Sequence, residues 1–139
     1  MRQILLFAAL AASLAPLSGC TLSKTKKDTE DMTDKAAYQK ISAEEAYEMM
    51  ASQEVVVVDV RTQEEYDGGH IENAVLVPNE SIVSEMPEAP PDKEATLLVY
   101  CRSGRRSKDA AQKLLALGYQ SVYDFGGVID WPYELVKEE

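Results

Sequence analysis

Ligands for a metal are what this chain most conspicuously lacks. It holds one His and two Cys among 139 residues, and a structural zinc site uses four Cys or His ligands. No structural or catalytic metal is expected. Basic residues are also short: 14 Lys and Arg stand against 24 Asp and Glu, for a net charge of -10. That balance is hostile to nucleic acid and to a polybasic mode of membrane attachment. Long apolar runs are missing too. The one extended stretch, Ile4 to Ala15, is about twelve residues, too short to span a bilayer comfortably.

What is present begins with that stretch. Arg2 supplies a positive start, Ile4 to Ala15 an apolar core, and Leu17-Ser18-Gly19 small residues ahead of Cys20, the pattern of a secretory signal over residues 1–19. Leu17-Ser18-Gly19-Cys20 resembles the bacterial lipobox, which implies a lipidated Cys20 and a domain anchored in the cell envelope, facing the periplasm or the exterior. Two or more acyl chains, at about 0.8 kcal/mol per buried methylene, hold a protein stably to a membrane. Thr21 follows Cys20, and the absence of Asp there leans towards an outer membrane. Without residues 1–19 only Arg2 is lost among the charged groups, so the net charge becomes -11. Residues 20–39, rich in Ser, Thr, Lys and Asp, read as a tether with an average span of about 25 Å.

Residues 40–139 suffice for one core, and no internal repeat appears. Ser42-Ala43-Glu44-Glu45 is a capping box ahead of Ala46, Met49 and Met50 at helical spacing. Val55 to Val58 is a β-branched run without polar alternation, suited to a strand covered on both faces. A second capping box, Thr62 to Glu65, opens a short helix that Gly68-Gly69 ends. Val75 to Val77 reads as a short strand, Ser81 to Met86 as a helical turn, Pro87 to Pro91 as a surface loop, and Thr96 to Tyr100 as a strand. Ala110, Leu114 and Leu117, widened by Ala111 and Leu115, form one helical stripe before Gly118. Ser121 to Tyr123 is a last strand, and Gly126-Gly127 with Trp131-Pro132 finishes the domain with a short terminal helix. Strands alternating with helices predict an α/β fold: a small, mainly parallel sheet with helices on both faces. One apolar stripe per helix suffices for a monomeric core.

Between the strand ending at Tyr100 and the helix reaching Leu117 lies Cys101-Arg102-Ser103-Gly104-Arg105-Arg106-Ser107. A loop there aims backbone N–H groups and the positive end of a helix dipole at the cysteine. Thiols so placed have pKa values of roughly 3.5–7.5, against about 8.5 when free. Arginines 102, 105 and 106, with Lys108, form a basic cluster in an acidic chain, which marks a local anion site. With Cys20 acylated, Cys101 has no internal disulfide partner, and an unpaired thiol in an oxidising compartment requires a reason. Cys101 is the candidate nucleophile.

These residues, with Asp59-Val60-Arg61, Glu65-Tyr66, Gly69-His70-Ile71, Ala74, Pro78, Gly126-Gly127 and Trp131, resemble a single-domain rhodanese-type sulfurtransferase over about residues 40 to 135. The resemblance implies the rhodanese-like fold and a chemistry in which Cys101 takes a sulfane sulfur from a small anionic donor such as thiosulfate. The persulfide then passes to a thiophilic acceptor, and no cofactor is implied beyond that covalent intermediate. Backbone N–H groups from Arg102 to Arg106 would cradle the persulfide, and Gly104 would permit the curl. Arg102 and Arg105, with Ser103 beside them, are the candidates for holding the donor; Arg106 is expected to turn inward and brace the loop. Asp59 is expected to cap backbone donors or pair with an arginine, and Arg61 to add to the positive field or pair with an acid. His70, outside the cysteine loop, reads as a neutral core histidine, and Trp131 as packing.

Rival readings are a phosphatase or arsenate reductase on the same scaffold, a non-enzymatic binding module, and a redox-sensing thiol. Arg105 and Arg106 fall at Cys-x3-Arg and Cys-x4-Arg, with Ser at 107, so the loop is shorter than the Cys-x5-Arg loops that hold a tetrahedral oxyanion. Cyanide detoxification, sulfide handling and sulfur delivery to another envelope protein are all compatible with the residues.

Overall fold

The computed structural model describes residues 36–83 and 92–138. Cys20, the expected signal, most of the expected tether and the segment from Ser84 to Pro91 lie outside the described residues.

Five strands form one sheet in which every pair is parallel. They are β1 (Gln39–Lys40), β2 (Val56–Asp59), β3 (Val75–Leu76), β4 (Thr96–Cys101) and β5 (Ser121–Gly127), in the order β1-β5-β4-β2-β3. Among the described residues three α-helices, α1 (Ala43–Ser52), α2 (Gln63–Asp67) and α3 (Arg105–Ala116), and a 3-10 turn, Asn79–Ser81, lie between the strands, and a second 3-10 turn, Val128–Asp130, follows β5. Parallel strands need crossovers, and helices supply most of these.

Side chains alternate across the sheet, as the pleat requires. Val58, Leu97, Val99, Cys101 and Val122 pack with Ala110, Ala111 and Leu114 of α3. Val57, Leu98, Tyr100 and Phe125 pack with Ala46 of α1 on the opposite face. Both faces are covered, so β2 and β4 are apolar without interruption until Asp59. The fold class matches the sequence expectation.

Both capping boxes form. Ser42 Oγ accepts the Glu45 N–H at 3.1 Å while Glu45 Oε2 takes the Ser42 N–H at 2.8 Å. Thr62 and Glu65 repeat the arrangement at 3.3 and 3.1 Å.

Four boundaries differ from expectation. The fold is already engaged at Tyr38, before residue 40, because Tyr38 packs on the core and β1 pairs with β5. Cys101 is the last residue of β4 rather than the first of the loop. A 3-10 turn forms ahead of the helical turn expected over Ser81 to Met86, at Asn79–Ser81, and Ser84 to Met86 lie outside the described residues. β5 continues through Gly126-Gly127, and the terminal segment forms only a 3-10 turn before an antiparallel bridge between Val136 and His70.

Candidate active site

Cys101 ends the central strand, where the carboxyl ends of parallel strands form the usual site of such folds. Beside it lies Gly127 of β5. Val99 pairs with Asp124 but Tyr100 with Gly126, so Phe125 is an extra residue that advances β5 by one place. A Cβ on Gly127 would collide with the Arg102 carbonyl and the Ser103 Cα. Only glycine lets the loop curl so close to the neighbouring strand.

The loop then turns at Gly104, whose φ of 94° lies in the left-handed region, and Arg105 starts α3. Gly104 has no side chain to cap that helix. Instead its own N–H donates to Cys101 Sγ at 3.0 Å, so the sulfur meets the donors a capping oxygen would ordinarily satisfy. Burial pushes the Cys101 thiol up, but the N–H and hydroxyl of Ser107 and the N–H groups of Gly104 and Ser103 outweigh it. The net shift is downward. Ser107 Oγ has one proton, and Asp124 Oδ1 competes for it at 2.7 Å, so the backbone amides are the steadier donors. The cradle expected from Arg102 to Arg106 includes Ser103 and Gly104 and extends one residue further, to Ser107. Cys101 itself is 1% exposed, recessed beneath its own loop.

The three arginines divide sharply. Arg106 Nη1 and Nη2 bind Glu65 Oε2 and Oε1 at 2.7 and 2.8 Å, and this pairing holds Glu65 down to about 2, ahead of the opposing effect of burial. Arg106 therefore braces the loop, and its charge is spent on Glu65 rather than on a donor. Arg105 is exposed and lines a cavity of about 660 Å³ with Ser103, Arg106, Asn79, Glu80 and Asp109. Arg102 is exposed but does not line that cavity; its carbonyl accepts the Ile129 N–H at 3.2 Å.

Asp59 and Arg61 form a closed unit behind the site. Arg61 Nη2 meets Asp59 Oδ2 at 2.6 Å, Nε lies at 2.9 and 3.0 Å from the two carboxylate oxygens, and Tyr100 Oη donates to Oδ2 at 2.7 Å. Burial and then the Asp59 charge raise the Tyr100 pKa, so the phenol stays a donor. Both charged residues are buried, and Arg61 pairs with an acid, one of the two roles expected of it. His70 stacks on Tyr66 with centroids 3.7 Å apart, and its Nδ1 lies 3.0 Å from the Tyr66 carbonyl, a core histidine as expected.

Asp124 escaped the sequence reading. It is buried in β5 and receives the Ser107 hydroxyl, the Gly126 N–H at 2.9 Å and the Tyr38 hydroxyl at 2.7 Å. A lone acid inside the run from Val122 to Phe125 was the available signal. Among the described residues no three His, Cys, Asp or Glu side chains gather as a metal site. A larger cleft, about 860 Å³, opens between Tyr47, Trp131 and Tyr133 with Glu72 and Glu134 at its lining. No Lys, Arg, His or Cys lines it, so it offers neither thiol nor cation.

The arrangement can stabilise a sulfur anion and present it to a small electrophile. The model of the rhodanese-like domain matches residues 42–132. Over 95 residues the chain is 37% identical to a thiosulfate sulfurtransferase GlpE from Coxiella burnetii, covering 68% of this chain and 87% of that one. It is 35% identical over 117 residues to a tRNA uridine(34) hydroxylase from Hamiltonella defensa, covering 79% of this chain but only 33% of the relative. The crystal structure of a rhodanese-like domain protein from Staphylococcus aureus superposes with a TM-score of 0.64 at 30% identity, covering 73% of this chain and 99% of that one.

Proposed function

The chain belongs to the rhodanese-like domain family, and on that footing we propose that it is a sulfurtransferase working through a persulfide on Cys101. The thiolate attacks the outer sulfur of a donor such as thiosulfate. A Cys101 S–S bond forms as the donor's own S–S bond breaks, and sulfite departs with the electron pair. A thiophilic acceptor then attacks the outer sulfur of the persulfide and leaves the Cys101 thiolate behind, so no net oxidant or cofactor is consumed.

The single observation carrying this reading is the Gly104 N–H on Cys101 Sγ at the start of a 12-residue helix. Amides fixed around the sulfur need no reorganisation when charge develops there. Arg105, exposed in the cavity beside the loop, supplies a cation for the donor. An intact Cys101 with an intact cradle weighs against a purely scaffolding module.

The test is incubation of the domain with thiosulfate followed by intact mass measurement. One added sulfur atom, removed by cyanide and absent in Cys101→Ser, is the expected result. Failure to acquire sulfur from thiosulfate or from a small persulfide donor would end the proposal. Lipidation at Cys20 and placement in the cell envelope belong to the same proposal and rest on the pattern Leu17-Ser18-Gly19-Cys20.

A further inference from the structure

Charge around Cys101 is thinner than its sequence implies. Arg106 is neutralised by Glu65, Arg61 by Asp59, and the cavity beside the loop holds Glu80 and Asp109 as well as Arg105. Beside the exposed Arg102 and Arg105, a further cation would strengthen the hold on a doubly charged donor. Lys40, the last residue of β1, is placed to supply it.

Its Nζ lies 3.4 Å from Asp124 Oδ2. A Cβ built on Gly126 would come to 3.2 Å from the same nitrogen, and one on Gly104 to 3.8 Å. The ammonium thus rests against the two glycines flanking the sulfur cradle, one of which donates to Cys101 Sγ. Asp124 is its counter-charge but holds it loosely. That carboxylate already accepts from Ser107, Gly126 and Tyr38 at 2.7 to 2.9 Å, and Lys40 is its longest contact. An ammonium carries three N–H donors, and the Lys40 side chain is 53% exposed.

We propose that Lys40 is an anion-binding residue of the Cys101 site, held over the loop by Asp124 and engaging the charged end of a small anionic sulfur donor. Arg105 serves the same donor from the cavity lined by Asn79 and Glu80. The inference rests on the sulfurtransferase reading for the identity of the donor, but the anion site stands on geometry alone. β1 then contributes to the site as well as closing the sheet edge.

The test compares alkylation of Cys101 by iodoacetate, an anion, with alkylation by neutral iodoacetamide at low ionic strength. Taking the ratio cancels any change in the nucleophilicity of the thiolate. In Lys40→Gln the iodoacetate-to-iodoacetamide ratio is expected to fall about threefold, the scale of one partly exposed charge, and Lys40→Arg to restore it. KM for thiosulfate rises by a similar factor in Lys40→Gln while kcat stays nearly constant. A ratio in Lys40→Gln equal to that of the parent, or a fall that Lys40→Arg does not reverse, overturns the assignment. If Cys101 takes no sulfur from thiosulfate and the ratio still depends on Lys40, the anion site stands and the sulfurtransferase reading falls.

Discussion

Arg106 and Glu65, 41 residues apart in the chain, close on each other through two charge-assisted hydrogen bonds. Glu65 is also the residue that completes the capping box of α2. One carboxylate therefore starts a helix and fastens the cysteine loop. The Glu65 pKa is lowered from 4.5 to about 2, so its pairing stabilises the fold above about pH 4.5 and is lost as pH falls towards 2. In Glu65→Gln, stability at pH 7 should drop by about 1 kcal/mol. The decline between pH 4.5 and 2.5 should be shallower than in the parent. Denaturant titrations across that range would check it; parallel pH curves for the two proteins would count against the pair.

Cys101 should titrate below a free thiol. The rate of iodoacetamide modification against pH is expected to reach half-maximum at lower pH in the folded protein than in denaturant. Because the folded value is depressed, the thiolate's contribution to stability is present at alkaline pH and lost as pH falls through that value. Coincident profiles would mean that the amide ring does not act on the sulfur.

Gly127→Ala places a methyl group into the Arg102 carbonyl. Overpacking of this kind costs about 1–3 kcal/mol, and the strain falls on the loop. Persulfide loading should drop by more than tenfold while the circular dichroism of the folded protein is retained. Loading at the parental rate would show that the loop has room the geometry denies it.

Asp59→Asn leaves Arg61 buried without its counter-charge, a loss of roughly 3 kcal/mol. Sulfur loading per folded molecule should stay within about twofold of the parent, since neither residue reaches Cys101. A stable variant with no turnover would instead make Asp59 part of the chemistry, and thermal melts beside single-turnover loading distinguish the two.

Cys20→Ser, in cells, is expected to move the protein from the membrane fraction to the soluble fraction without changing sulfur loading. Continued sedimentation with membranes would contradict lipidation at that position.

Much of the fold was legible because its signals are short-ranged. Ser42 with Glu45 and Thr62 with Glu65 announce two helices within four residues each, and the unbroken Val55 to Val58 run announces a strand covered on both faces. What could not be read depends on distant partners. Gln39-Lys40 has no apolar pattern and is exposed; it is a strand only because β5 lies beside it. Gly126-Gly127 looked like punctuation after a strand, yet both belong to β5 and Gly127 admits the Arg102 carbonyl. At the site, Cys101 and the basic cluster stood out in sequence. The inward turn of Arg106 was expected, but its partner Glu65 lies 41 residues away, and the role of Asp124 depended on Tyr38, Lys40 and Ser107, none of them near in sequence.

The near-complete burial of Cys101 bears on how an unpaired thiol escapes cross-linking. Joining two copies through a disulfide requires their sulfurs to approach within about 2 Å. Neither sulfur can reach out from under its loop to meet the other. A slender molecule carrying its reactive atom at one tip can enter where a second folded protein cannot. Recession thus acts as a filter of shape, sparing the nucleophile from futile cross-linking while leaving it open to the smallest partners.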